Sequence, residues 1–353
     1  MAAFTTIDDP SAYFQVKLYT GTGATQSITN DGNSNLKPDF VWIKTRSVAH
    51  WHNLFDSSRG ATKLVFSNST TNEATRSTSL TSFNTDGFTV GADTVGTDVN
   101  GLNRTHVAWQ WKANGGTTSS NTAGNITSTV QVNSTAGFSI VTWTGNENSS
   151  ATVGHGLGVK PDMVFFKRRN ATYNWVVYCG QLGIVGGNNM FAYLNLTNAA
   201  EQGAGFNFTS TTITPTNGAP TNSGLMLAYC FVAKQGYSKF GKYVGNGNAN
   251  GAFVYTGFKP ALVITKPSSA VGSWSIYDHK RTGYNTIDVW LRANGTDAES
   301  TSAISGPDID ILSNGFKLRS ADNTLNANGT TYIYMAFAEN PFVTSTGVPA
   351  CAR

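Results

Sequence analysis

The sequence predicts an all-β chain of three tandem β-sandwich units, and three observations carry that expectation. The first is composition. Apolar residues make up 39% and aromatics 12% of the 353 residues, but charged residues only 12%, roughly half of the usual share of about 25%. The polar surface must come from Thr, Ser, Asn and Gly, which compete with a helical backbone and suit strands and turns. The second is periodicity. No stretch sustains a 3.6-residue period, whereas Val107, Trp109 and Trp111 alternate with Ala108, Gln110 and Lys112, the period of two of a strand. The third is an internal repeat, the sign of a modular chain.

The repeat is anchored on a Lys-Pro pair followed by an apolar run. It reads Lys37-Pro38-Asp39-Phe40-Val41-Trp42-Ile43-Lys44, then Lys160-Pro161-Asp162-Met163-Val164-Phe165-Phe166-Lys167, then Lys259-Pro260-Ala261-Leu262-Val263-Ile264-Thr265-Lys266. Upstream of each stands a strand-like run ending in glycine at Gly21, Gly145 and Gly245. Downstream comes a tryptophan at Trp51, Trp175 and Trp274, and each unit closes on an aromatic strand around Ala108, Ala228 and Ala336. Proline after the lysine lacks a backbone donor and fits a strand's first residue. Asp31-Gly32, Asp86-Gly87, Asn100-Gly101, Asn314-Gly315 and Asn328-Gly329 mark turns between strands. Six to eight strands per unit of about 100 residues is the pattern of a sandwich or jelly roll.

The organisation read from these landmarks is an N-terminal attachment segment at 1–13, units at 14–113, 135–234 and 235–340, a Gly/Ser/Thr/Asn-rich linker at 114–134, and a C-terminal tail at 341–353. The second and third units abut through Ala233-Lys234-Gln235-Gly236. The N-terminus lacks the basic and apolar regions of a signal peptide, and no apolar run approaches membrane-spanning length. Without a secretion signal, the Asn-x-Ser/Thr triplets at Asn68, Asn103, Asn125 and Asn133 read as accidents of composition.

Chemistry-bearing motifs are sparse. Net charge is +4 without a basic block, and Lys167-Arg168-Arg169 is too short for a nucleic-acid footprint. Cys179, Cys230 and Cys351 are an odd set without metal spacing; the first two read as buried hydrophobes. His50-x-His52 has no third ligand nearby. Asp56, Asp278, Asp308 and Asp310 are the carboxylates a glycosidase would need in pairs, but the first two sit at a repeated fold position and read as structural. No nucleophile elbow or phosphate loop is present. The expectation is therefore no catalytic residue, no cofactor and no metal. Trp51, Trp175 and Trp274 suit stacking on a sugar ring, against a core reading for a thrice-repeated position. Tyr173 and Tyr284 lie on turns outside the repeat and suit recognition better.

The opening Phe4-Thr5-Thr6-Ile7-Asp8-Asp9-Pro10-Ser11-Ala12-Tyr13-Phe14 resembles the start of a family of marine tailed-phage, cyanophage-like virion and tail-fibre-like proteins. Val153-Gly154-His155-Gly156-Leu157-Gly158-Val159-Lys160-Pro161, Tyr237-Ser238-Lys239-Phe240-Gly241 and Tyr332-Ile333-Tyr334-Met335-Ala336-Phe337-Ala338-Glu339-Asn340-Pro341-Phe342 are similar too. The resemblance implies concanavalin-like β-sandwich repeats and a structural or host-binding role, without catalytic residues. Unit two departs from it by lacking the Asp86-Gly87-Phe88 turn seen again as Asn314-Gly315-Phe316. The expected function is a virion tail-fibre or receptor-binding module, made in the host cytoplasm. Its expected partners are other virion proteins, further copies of itself in a homo-oligomer, and a host-surface glycan or protein, with no nucleic acid and no membrane insertion. A capsid-decorating or neck and tail assembly part is the alternative, and a glycan-degrading enzyme the second.

Overall fold

The three Lys-Pro runs become strands at Phe40–Thr45, Met163–Arg168 and Phe258–Pro267. Their unbroken apolar character is what a strand covered on both faces requires. The computed structural model describes residues 5–94, 96–203, 205–215, 222–301 and 306–341, and strands dominate these, with two short 3-10 turns and no α-helix among them. Each run lies at the middle of a large antiparallel sheet. In the first unit the order is Phe14–Thr20, Thr105–Trp111, Phe40–Thr45, Asn53–Asp56, Lys63–Phe66, Ala74–Thr75; the third unit repeats it from Ser238–Val244 to Ser300–Thr301. Each large sheet is backed by a three-stranded one, led by Gln26–Ile28, Val153–Gly154 and Phe253–Tyr255.

The stretch 114–134 is not a linker. Ser119–Asn121 and Ser128–Asn133 add two strands to the edge of the second large sheet, pairing onto Phe138–Asn146. Alternating Val130 and Val132 gave the latter an apolar face that its Ser/Thr/Asn-rich flanks concealed. Nor is the N-terminal segment free from residue 5 onward. Ile7 is in the central core, and Asp9 caps the Pro10–Ala12 turn and accepts from Ser34. Residues 1–4 and the predicted tail from 342, Cys351 included, lie outside the described residues.

The units do not follow one another as beads. Alternate residues of each central strand point opposite ways. Val41, Ile43 and Val164, Phe166 face their own small sheet, but Phe40, Trp42, Met163, Phe165, Leu262 and Ile264 all enter one shared core. At its centre Trp111, Phe231 and Phe337, one from each unit, touch edge to face with centroids 5.5, 6.0 and 6.5 Å apart. Pairing shows that Trp42–Trp109 and Phe165–Tyr229 correspond to Ile264–Met335. Tyr334 is thus the match of Ala108 and Ala228, and the landmark Ala336 stands two residues late. A slip of two keeps every side chain on its face, so the alternation in the sequence could not reveal it.

Three seams close the ring, each unit donating to the one before it. A buried lysine that ends each Lys-Pro run gives its ammonium to backbone carbonyls across the seam: Lys167 to Thr70, Lys266 to Thr197 and Asn198, and Lys44 to Thr296. Those threonines end Asn68-Ser69-Thr70, Asn195-Leu196-Thr197 and Asn294-Gly295-Thr296. The asparagines cap the amides of His52, Trp175 and Trp274. The triplet at Asn68 is therefore structural, not an accident. Trp175 Nε1 donates to Phe66 O and Trp274 Nε1 to Tyr193 O, again across the seams. His52 holds the third place and faces the Arg292 backbone, though its Nε2 makes no full hydrogen bond.

Candidate functional site

The seams are not equal in polarity. In the seam between units one and two, fully buried Asp56 and Arg59 pair at 2.5 Å, Tyr229 donates to Asp56 at 2.7 Å, and Glu73 bridges Arg59 to Arg169. The seam between units three and one repeats this with Asp278, Arg281, Trp109, Glu299 and Arg46. In the remaining seam the corresponding places hold Cys179, Leu182 and Met335, all apolar, with Ala200 backing onto Ser268. Burial pushes the Cys179 thiol up to about 12. The repeated carboxylates Asp56 and Asp278 are thus cross-braces. Asp310 pairs with Arg319, and burial, reinforced by Asp288 and Asp322, raises Asp308 to about 6.

One cleft, of about 490 Å³, opens where the first unit meets the third. One wall is Phe14, Gln15 and Val16 with the Asp31–Asn33 loop; the other is Lys259, Ala261, His279, Lys280, Tyr284 and Glu339. The repeat supplies a baseline for judging these residues. His279 donates its amide to Ala261 O as Ser57 does to Asp39 O and Gly180 to Asp162 O. In units one and two, Asp39 and Asp162 accept the amides of Ala113 and Ala233 at the end of the closing strand. In unit three the carboxylate has changed sides: Ala261 replaces the aspartate and Glu339 replaces the alanine. His279 and Lys280 likewise stand where the other units have Ser57-Ser58 and Gly180-Gln181. Two departures from the repeat, Ala261 and Glu339, thus meet His279 and Lys280, at places that differ in every unit, in one cleft.

Its charges are paired within one wall and across the cleft. Lys259 Nζ meets Glu339 Oε2 at 2.8 Å, and His279 Nδ1 lies 3.7 Å from the same oxygen. Burial holds His279 below its ordinary value against the pull of Glu339, so the ring is neutral at pH 7. Lys280 and Lys17 both reach Asp31, at 2.9 and 3.2 Å. Burial alone would raise Asp31, but those hydrogen bonds outweigh it and keep the carboxylate charged. The Tyr284 ring stands 74% exposed on the rim. Polar groups of both signs beneath an open aromatic can bind; both carboxylates are engaged by lysines. Among the described residues no three His, Cys, Asp or Glu side chains group to hold a metal ion.

Of the five candidate contact residues Trp51, Trp175, Trp274, Tyr173 and Tyr284, Tyr284 alone lies on this cleft. Trp175 and Trp274 are fully buried and cannot meet a ligand, because the shared core and the seam carbonyls take both ring and N–H. Trp51 is one residue out of frame: His52 takes its repeat place, and Trp51 sits half-exposed, edge-on to Phe66. Tyr173 belongs to the first seam, its carbonyl accepting Lys167 and its ring under Arg168. His279, Lys280, Asp31 and Glu339 were missed; the signal available was Ala261, which breaks the Lys-Pro-Asp of the first two copies. A family model matches nearly the whole chain. Residues 9–341 match the model described as Domain of unknown function (DUF7483). The chain belongs to this family. No curated protein and no solved structure matches it. The DUF7483 match spans all three units, in keeping with a core to which all three contribute.

Proposed function

We propose that this protein is a non-catalytic virion module of the tail-fibre or receptor-binding kind, which contacts a host-surface glycan or protein through the cleft between its first and third units. The observation that carries the contact site is the convergence of Ala261 and Glu339, which break a pattern shared by the other two units, with His279 and Lys280 beneath exposed Tyr284. Residues kept in every unit serve packing and seams; residues that change together at one opening serve that opening. The phage setting rests on the resemblance of the N- and C-terminal segments to marine tailed-phage proteins.

Purified protein incubated with candidate host cells tests the reading. Saturable cell binding and a block of phage adsorption are expected, and Tyr284→Ala should weaken both without unfolding the protein. Absence of cell binding by the folded chain would refute the receptor role. The edge of Phe14–Thr20, unpaired among the described residues, favours one second reading, an assembly part that joins another virion protein. Many copies per particle, located away from the host-facing tip, would favour it.

A further inference from the structure

The cleft has a counterpart elsewhere in the ring, and there it is filled. Phe14 and Val16 correspond to Phe138 and Ile140, since they pair with Trp111 and Trp109 as those pair with Phe231 and Tyr229. On the other side of Phe138 and Ile140 lie Asn133 and Gln131 of the added strand Ser128–Asn133. Gln131 fills the seam: its Nε2 donates to Ser57 and Ser58 at 3.0 and 2.8 Å, and its Oε1 accepts from Gly116 N at 3.0 Å. Lys37, the counterpart of Lys259, donates to the Gly115 carbonyl beside it. Beside Phe14 and Val16 the described residues include no such strand, and the cleft lies at that position.

The edge there is competent to pair. Lys112 N donates to Tyr13 O and Gly21 N to Arg104 O. Hydrogen-bonded pairs alternate in an antiparallel ladder, so Gln15, Lys17 and Tyr19 turn their backbone groups to the neighbouring strand. Phe14, Val16 and Leu18 turn theirs outward. Natural edges are usually guarded by charge, and the corresponding edge of unit three carries Lys239 and Lys242. On this edge the one lysine, Lys17, is drawn aside to Asp31.

We infer that the cleft accepts an extended segment of a partner polypeptide, added as a strand to Phe14–Leu18 in the manner in which Ser128–Asn133 is added to Phe138–Thr142. The main chain of that segment pairs with Phe14, Val16 and Leu18. Its side chains alternate apolar and polar, and a carboxamide in the place of Gln131 meets His279 and Lys280, where His279 Nδ1 has no hydrogen-bond partner. This inference builds on the cleft being the recognition site but not on the virion assignment.

The chain supplies its own probe: a fluorescein-labelled peptide of residues 126–134, Ile-Thr-Ser-Thr-Val-Gln-Val-Asn-Ser. Saturable binding to the full-length protein by anisotropy is expected, with at least tenfold slower hydrogen exchange at the Phe14, Val16 and Leu18 amides. Val16→Pro removes one outward donor without touching the ladder to Thr105–Trp111, and should weaken binding at least tenfold while circular dichroism stays unchanged. The pair His279→Ser and Lys280→Ser copies the filled seam and should tighten binding. No saturable binding, or equal binding by folded Val16→Pro, overturns the inference. So does binding of a uronate oligosaccharide, lost in Tyr284→Ala, by protein that ignores the peptide. Host-cell binding without peptide binding would leave the receptor reading standing and remove this one alone.

Discussion

Replacing Arg59 by leucine should destabilise the protein by about 3–5 kcal/mol, the usual consequence of removing one partner of a buried ion pair. Both side chains of the Asp56–Arg59 pair are fully buried. Asp56 would keep only the Tyr229 hydroxyl and the backbone amide of residue 59. The third seam shows how to repair the loss. There Cys179, Leu182 and Met335 occupy the same three places without charge. Exchanging a whole buried ionic set for apolar residues is often neutral or better. Against that stands the loss of the Tyr229 ring, stacked on Phe40 at 4.2 Å, a contact of about 0.5–1.5 kcal/mol. Glu73 keeps Arg169 in either case. The triple variant Asp56→Cys, Arg59→Leu, Tyr229→Met should therefore lie within about 2 kcal/mol of the parent. Urea unfolding followed by tryptophan fluorescence measures both variants. A triple variant as unstable as Arg59→Leu alone would refute the equivalence of the seams.

Trp274→Ala should cost about 3–5 kcal/mol through the cavity it leaves, with Tyr193 O orphaned as well, whereas Trp51→Ala should cost less than about 1 kcal/mol; thermal melts of the two decide between core and surface roles. Burial lowers Lys167 to about 7 and Lys44 and Lys266 to about 8. The unfolded chain then binds more protons from there up to the ordinary lysine value, so stability should rise with pH across about 8–10. Above that the sign reverses, because burial raises Tyr237, Tyr243 and Tyr277 well above 10, and the folded chain holds the protons. Denaturation midpoints between pH 6 and 11 should show the maximum, and Lys167→Met should flatten its acid side. Asn326→Ala should cost about 1–3 kcal/mol, since its amide donates to Asn246, Asn248 and Ser320 from a buried position; chemical denaturation reads it directly.

The strand character of this chain was legible because period and composition are local properties. Phe40–Thr45 and Met163–Arg168 could be read from five or six residues each, and Gly21 and Gly245 kept their distance because a Cβ there would strike the Gly101 and Ala327 carbonyls. Burial on both faces was implied by the unbroken apolar runs, but not what lay on either side. Whether Trp111, Phe231 and Phe337 faced three private cores or one common core depended on how the sheets meet, which no spacing encodes. The same holds at the cleft. Lys259, His279 and Glu339 are far apart in the chain, and their significance lies in what the equivalent places of the other units contain. Sequence by itself determined strands, turns and the repeated anchor. Tertiary structure alone decided the closed ring, the roles of the buried lysines and asparagines at its seams, and the cleft between units one and three, because each of these depends on groups that only closure of the ring brings within hydrogen-bonding distance.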